Sequence, residues 1–214
     1  MKRVSIILFL LIFSSCKNDK NNIKTEKEKE VIELSNTDVT YTINTEQSII
    51  KWEGFTPIAG DGHNGTIKLS SGLVQLKNND LKSGNFIIDM NTIENSDIED
   101  EKEKGELVEH LKNSDFFDVK KFPESKFEIT NVIKDDGKTF LEGNFTMKGK
   151  INNIKIPISI NKSKDELTIV SNTFNIDRTK WGIIYDSGSF FKDLGDHLIK
   201  DNIQIEFNLK GYLK

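Results

Sequence analysis

Along most of the chain, apolar and polar residues alternate with a period of two. Ile154, Ile156, Ile158 and Ile160 alternate with Lys155, Pro157 and Ser159, and Ile203, Ile205, Phe207 and Leu209 with Gln204, Glu206 and Asn208. Such alternation gives a strand one buried face. Less regular segments of the same kind are SIIKWEGF (48–55), NGTIKLS (64–70), GNFIIDM (84–90), KFEITNVI (126–133), KTFLEGNFTMKG (138–149) and ELTIVSNTFNI (166–176). Between them lie the turn signals NNDLKSG, KDDGK, KGKINN and NKSKDE. Many short strands without alternating helices predict an all-β protein, an antiparallel sandwich or barrel. Pro157 inside a strand pattern predicts an edge, a bulge or a strand start.

Two regions break the alternation. Residues 96–114, SDIEDEKEKGELVEHLKNS, place Leu107 and Leu111 at i and i+4 beside Val108, which predicts one acidic helix flanking or capping the sheet. The stretch that follows, from His110 to Phe127, sets Phe116, Phe117, Phe122 and Phe127 among charges. Rings this close together require a surface to bury against, either core or ligand wall. Trp52, Phe55, Phe86, Phe145 and Trp181 present the same choice.

The N-terminus has its own pattern. MKRVSIILFLLIFSSC begins with two cations, continues with an apolar run too short for a bilayer span, and ends on small residues and Cys16. It reads as a signal peptide over residues 1–15. The ending resembles the lipobox of bacterial lipoproteins, in which the cysteine is acylated, although Phe13 stands where an aliphatic residue is usual. A plain secretory peptide with an incidental cysteine is the alternative. The charged tract from Lys17 to Asp38 has few large apolar residues and reads as a flexible spacer, with a fluctuating helix over 24–34. Residues 16–38 thus form a lipidated tether, and residues 39–214 the domain. The expected location is a membrane-anchored lipoprotein facing the periplasm or the cell surface.

Composition narrows the function. The net charge of −4 and the lack of a basic stripe give no support for nucleic-acid binding. A single cysteine excludes an intrachain disulfide. His63, His110 and His197 are scattered, and the i, i+4 pair Glu106 and His110 reads as a surface ion pair rather than a metal site. The run from Asn95 to Glu106 lacks the glycine that a calcium loop needs, since Asp100 stands there. YDSGSFF (185–191) lacks a nucleophile elbow and reads as a glycine-containing loop, with Asp177 pairing with Arg178 nearby. No catalytic constellation and no cofactor site emerge.

Four separated motifs arrive in order: HLKNSDFFDVKKFP leading to SKFEI, then LEGNFTMKGKINNIKIPISI, FNIDRTKWGIIYD and LGDHLIKDNIQIEFNL. Together they resemble the YceI-like family over residues 39–214. Two departures stand out: Gln47 precedes Ser48 where the family often has His, and Lys148–Gly149 replaces Arg–Gly, which loses the guanidinium fork. The resemblance implies a lipocalin-like antiparallel barrel of about eight strands, often exported, whose apolar interior holds an isoprenoid-type lipid such as a polyprenyl chain or quinone tail. On this reading Trp52, Phe55, Phe86, Phe116, Phe117, Phe145, Trp181 and Tyr185 are candidates for the cavity wall or mouth, and Cys16 is the lipid attachment site. A barrel of this size can equally be filled by its own side chains, which would leave a structural or interaction lipoprotein. An enzyme acting on a quinone would need convergent titratable groups inside.

Overall fold

The computed structural model describes residues 21–58 and 62–214. Its strands are β1 (Thr25–Glu26), β2 (Val39–Ile43), β3 (Ile49–Phe55), β4 (Gly62–Lys77), β5 (Asp80–Asn95), β6 (Glu124–Asp135), β7 (Lys138–Met147), β8 (Lys150–Ser163), β9 (Glu166–Ser171), β10 (Phe174–Asp177) and β11 (Asn202–Leu213), with one helix, α1 (Glu101–Lys112). The turn signals become tight hairpins. Asn78–Asn79, Asp136–Gly137 and Lys148–Gly149 all have positive φ, the geometry of two-residue turns that match strand twist.

These hairpins build an antiparallel ring of eight strand positions. Strands β4 to β9 follow in order as far as β9, which pairs with β11. On its other side β11 meets β3 through Gln204–Asn208 and β2 through Gly211–Leu213, and both pair with β4. Thus β2 and β3 share one strand position. The segment expected as a single strand over 166–176 also breaks, at Asn172–Thr173, into β9 and β10. Strand β9 pairs with β8, whereas β10 pairs with β11 and not with β8 among the described residues. Pro157 stands just beyond the last β8–β9 pair, Ile158 and Ser171, an edge position that a proline tolerates.

The seam between β8 and β10 is filled by the segment expected to be a flexible spacer. Strand β1 pairs with Asn153 and Ile154 of β8, while Asn175 of β10 exchanges backbone hydrogen bonds with Ile23 (3.1 Å) and Asn21 (2.9 Å). The chain then runs across the outside of the barrel as a strap. Lys29 N–H donates to Asn144 Oδ1 (3.0 Å), and Asn144 Nδ2 donates back to the Lys29 carbonyl (2.7 Å). Farther on, Ile32 N–H donates to the Ile129 carbonyl, and Gln75 makes the same two-way amide contact with Ser35. Asn144, Asn153 and Gln75 are buried. For residues 21–38 the spacer and helix expectations are therefore corrected: docking here is done by hydrogen bonds from the strap's main chain to the barrel's main chain and side-chain amides, which hydrophobicity does not register. The signal peptide and Cys16 lie outside the described residues.

Helix α1 is shorter than expected. Asp100 accepts from the Lys102 and Glu103 N–H groups and caps its start, while Asn113 ends it. Its buried Leu111, with Leu107 and Val108, packs against the core. The four phenylalanines now have places. Phe127 lies over Gly143, where a Cβ would come within 2.2 Å of the ring, and Phe122 lies over Gly149 in the same way at 2.6 Å. Phe116 and Phe117 carry the turn after α1 onto the same end of the barrel. Among the described residues no helix is long and apolar enough to cross a membrane.

Candidate functional site

Inward-facing side chains treat the two halves of the barrel differently. Toward the Asn78–Asn79 and Lys164 turns, Tyr41, Ile43, Val74, Leu76, Leu167 and Ile169 fill the interior with at most 4% of their surface exposed. Toward α1 the interior is hollow, with a cavity of about 130 Å³. Its floor is set by Leu141, Ile156 and Leu209, and its walls by Ile67, Leu69, Met90, Ile93, Met147, Ile154, Phe174 and Ile176 among others. One polar side chain, Ser125, reaches the lining, and its hydroxyl donates to Met90 Sδ at 3.1 Å. A dry apolar space has no use for water and suits hydrocarbon.

Part of this wall is unsealed. Ile50, Trp52, Ile88, Phe117, Ile203, Ile205 and Phe207 line the cavity yet are only half-buried. On β3 and β11 they form facing pairs, Trp52 with Ile205 and Ile50 with Phe207. Inward-pointing residues that stay accessible mark the open side of the space.

Of the eight aromatic residues singled out by sequence, Trp52, Phe86, Phe117 and Phe145 line the cavity. The other four lie elsewhere. Phe55 ends β3 beneath Lys200 Nζ, which stands 5.6 Å from its ring centre. Trp181 is fully buried, donates its Nε1–H to the Phe145 carbonyl and packs edge-on against the Phe145 ring, so it supports the wall from behind. Phe116 and Tyr185 pack with His110 in an aromatic cluster beside α1. Tyr185 makes no contact with the lumen there, and burial, with Asp186 and Asp115 nearby, pushes its phenol above the ordinary value. The aliphatic wall residues went unassigned, although the alternation of β8 and β11 carried the signal for them: every second residue of a barrel strand points inward.

Polar groups cluster outside the lumen. Arg178, buried at 1% exposure, donates to the carbonyls of Ile183 (3.0 Å), Ile199 (3.0 Å) and Lys200 (3.1 Å). Burial lowers its pKa, with Asp201, Asp177 and Asp186 opposing, and a guanidinium stays charged regardless. The expected Asp177–Arg178 pair does not form: Arg178 stands 3.8 Å from Asp201, and Asp177 accepts from Thr179 and pairs with Lys180. Likewise Glu106 pairs with Lys102, and His110 with Asp115. His63 meets Asp97 at 2.9 Å, where Asp97 also accepts from Asn64 N–H and Asn95 Nδ2. Burial opposes ionisation of Asp97, but these donors outweigh it and hold the carboxyl below its ordinary value.

A closed antiparallel ring with one packed half, one hollow apolar half and a single capping helix defines a lipocalin-like barrel. The YceI-like domain profile matches residues 41–211, and the chain belongs to that family. No curated protein matched. Among solved structures, Burkholderia cenocepacia BcnA is similar at 20% identity and a TM-score of 0.62, over 78% of this chain and 98% of that one. A polyisoprenoid binding domain from Saccharophagus degradans, implicated in plant cell wall breakdown, is similar at 9% identity and 0.60, over 82% and 99%. The Campylobacter jejuni YceI protein is similar at 15% identity and 0.51, over 100% and 99%.

Proposed function

We propose that this protein binds a long apolar lipid of the isoprenoid type in the hollow half of its barrel and carries or sequesters it in the cell envelope, without catalysing a reaction on it. The observation that carries this reading is the composition of the lumen, a continuous hydrocarbon wall with Ser125 as its polar member. Such a surface recognises chains through contact area alone, at about 0.8 kcal/mol per buried CH₂. The polyisoprenoid binding domain of the same fold supports the choice of chain. A space near 130 Å³ holds roughly one ring-sized group, so a chain of several prenyl units enters by turning the half-buried Trp52, Phe117 and Phe207 aside.

The N-terminal pattern supports export and acylation at Cys16, which would keep the barrel at a membrane. Native mass spectrometry of protein purified from a bacterial envelope without detergent, followed by solvent extraction, tests the cargo. A stoichiometric added mass that extracts as a prenyl lipid is the expected result. A bare polypeptide mass, unchanged after incubation with quinones and polyprenols, overturns the reading.

A further inference from the structure

The loop between β10 and β11 carries an exposed aromatic pair midway along it, Phe190 at 56% and Phe191 at 46%. These are large apolar groups to leave in water, and hydrogen bonds to the loop's backbone place them there. Ser187 is fully buried, and its carbonyl accepts from the N–H groups of both phenylalanines, at 3.0 and 2.9 Å. Ile199 N–H donates to Asp186, Ser189 Oγ donates to Asp201 Oδ2, and the Arg178 guanidinium gathers three carbonyls at the loop's base. Beside it, Lys200 N–H donates to the Phe55 carbonyl, which brings in the loop after β3 with Ile58, 54% exposed. Three exposed apolar residues thus share one end of the barrel, on a stapled support.

The chain leaves the barrel at the same place. Asn22 Oδ1 accepts from Asn175 Nδ2 (2.7 Å) and Asn202 Nδ2 (3.3 Å), and Asn202 follows Asp201, the residue that receives Ser189. Because the strap is bound from Asn21 onward, only four residues lie between Cys16 and the wall, and the five steps from Cys16 to Asn21 reach at most about 18 Å. An anchor there cannot let the domain swing freely; it holds this end toward the lipid. Resting on the proposed acylation and lipid cargo, we infer that Ile58, Phe190 and Phe191 form a membrane-docking surface that seats this end of the barrel on the bilayer. The hollow half of the lumen, with Ile203 in its wall, lies nearer this end, so the cargo passes between bilayer and barrel over a short path. Lys192 and Lys200 are offset by Asp193 and Asp196, so docking is apolar and little affected by salt.

The test places a tryptophan at each end of the full chain, Phe190→Trp near the strap and Leu213→Trp at the opposite end, above the background of Trp52 and Trp181. Each protein is reconstituted into phosphatidylcholine vesicles whose acyl chains carry bromine. The expected result is extra quenching at position 190, at least twofold over wild type and insensitive to salt, with none at 213. Equal quenching at both positions, or at neither, overturns the inference. A blue shift of the 190 signal that grows with protein concentration before vesicles are added also overturns it, since a second copy would then be the occupant. Extraction of the cargo is read separately by mass, so loss of one reading leaves the other standing.

Discussion

Trp181 donates its indole N–H to the backbone carbonyl of Phe145 at 2.9 Å while the two rings meet edge to face, 5.5 Å between centres. One face of Phe145 thus lines the lumen and the other rests on a fully buried residue from the segment after β10. Trp181→Phe keeps most of the volume but loses the hydrogen bond to the Phe145 carbonyl, at a cost of about 0.5–1.5 kcal/mol. Trp181→Ala removes the support and should cost about 3–5 kcal/mol. Urea denaturation of the two variants measures both.

The strap depends on buried amides that face outward from the barrel. Asn144→Leu removes both hydrogen bonds to Lys29 and leaves the Asn153 amide one acceptor short. Hydrogen exchange at the amides of residues 23–32 should quicken at least tenfold, about 1.4 kcal/mol of lost protection, while β4 to β7 stay protected. Unchanged exchange at Ile23 and Lys29 would show that the amide contact does not hold the strap.

Within the open side of the lumen, Ile205 faces Trp52 and is already half-buried. Ile205→Gln should leave the ring closed yet place an amide without a partner against the bound chain, a penalty of about 1–3 kcal/mol. Lipid retention measured by extraction should fall about tenfold or more, with the melting temperature changed by only a few degrees. A matching change at Gln204, on the outer face, should leave retention alone.

The Asp97 cluster ties β4 to the loop before α1, and its carboxyl is held below the ordinary 3.8 of an aspartate. A depressed carboxyl adds stability that is fully present above the unfolded value and is lost as pH falls through the folded one. Asp97→Ala should therefore be less stable than wild type at pH 7, and the gap should narrow as the pH drops below about 4. Stability curves from pH 7 to pH 2.5 check the sign, and a gap that widens in acid would contradict it.

Period-two alternation made the strands legible because a barrel wall has an inner and an outer face, and the residue types of β8 and β11 alternate from Ile154 to Ile160 and from Ile203 to Leu209. The same alternation could not separate a packed floor from a hollow wall. Ile169 and Ile205 read alike in sequence, and only the closure of the ring puts one in the filled half and the other beside empty space. Aromatic content misled for the same reason: Trp181, Phe116 and Tyr185 look like Trp52 and Phe117 but pack outside the lumen. The strap was hidden more deeply. Its grip comes from Asn144, Asn153 and Gln75, polar residues whose burial is set by a segment more than a hundred positions away in the case of Asn144.

A barrel packed at one end and hollow at the other divides its labour. Tyr41, Val74, Leu167 and Ile169 close one end of the ring, so the half-buried side chains on the open side of the cavity can be exchanged at less cost to folding than those of the packed end. Selection can then refit the pocket to a new guest one residue at a time, while the wall that encloses it stays the same.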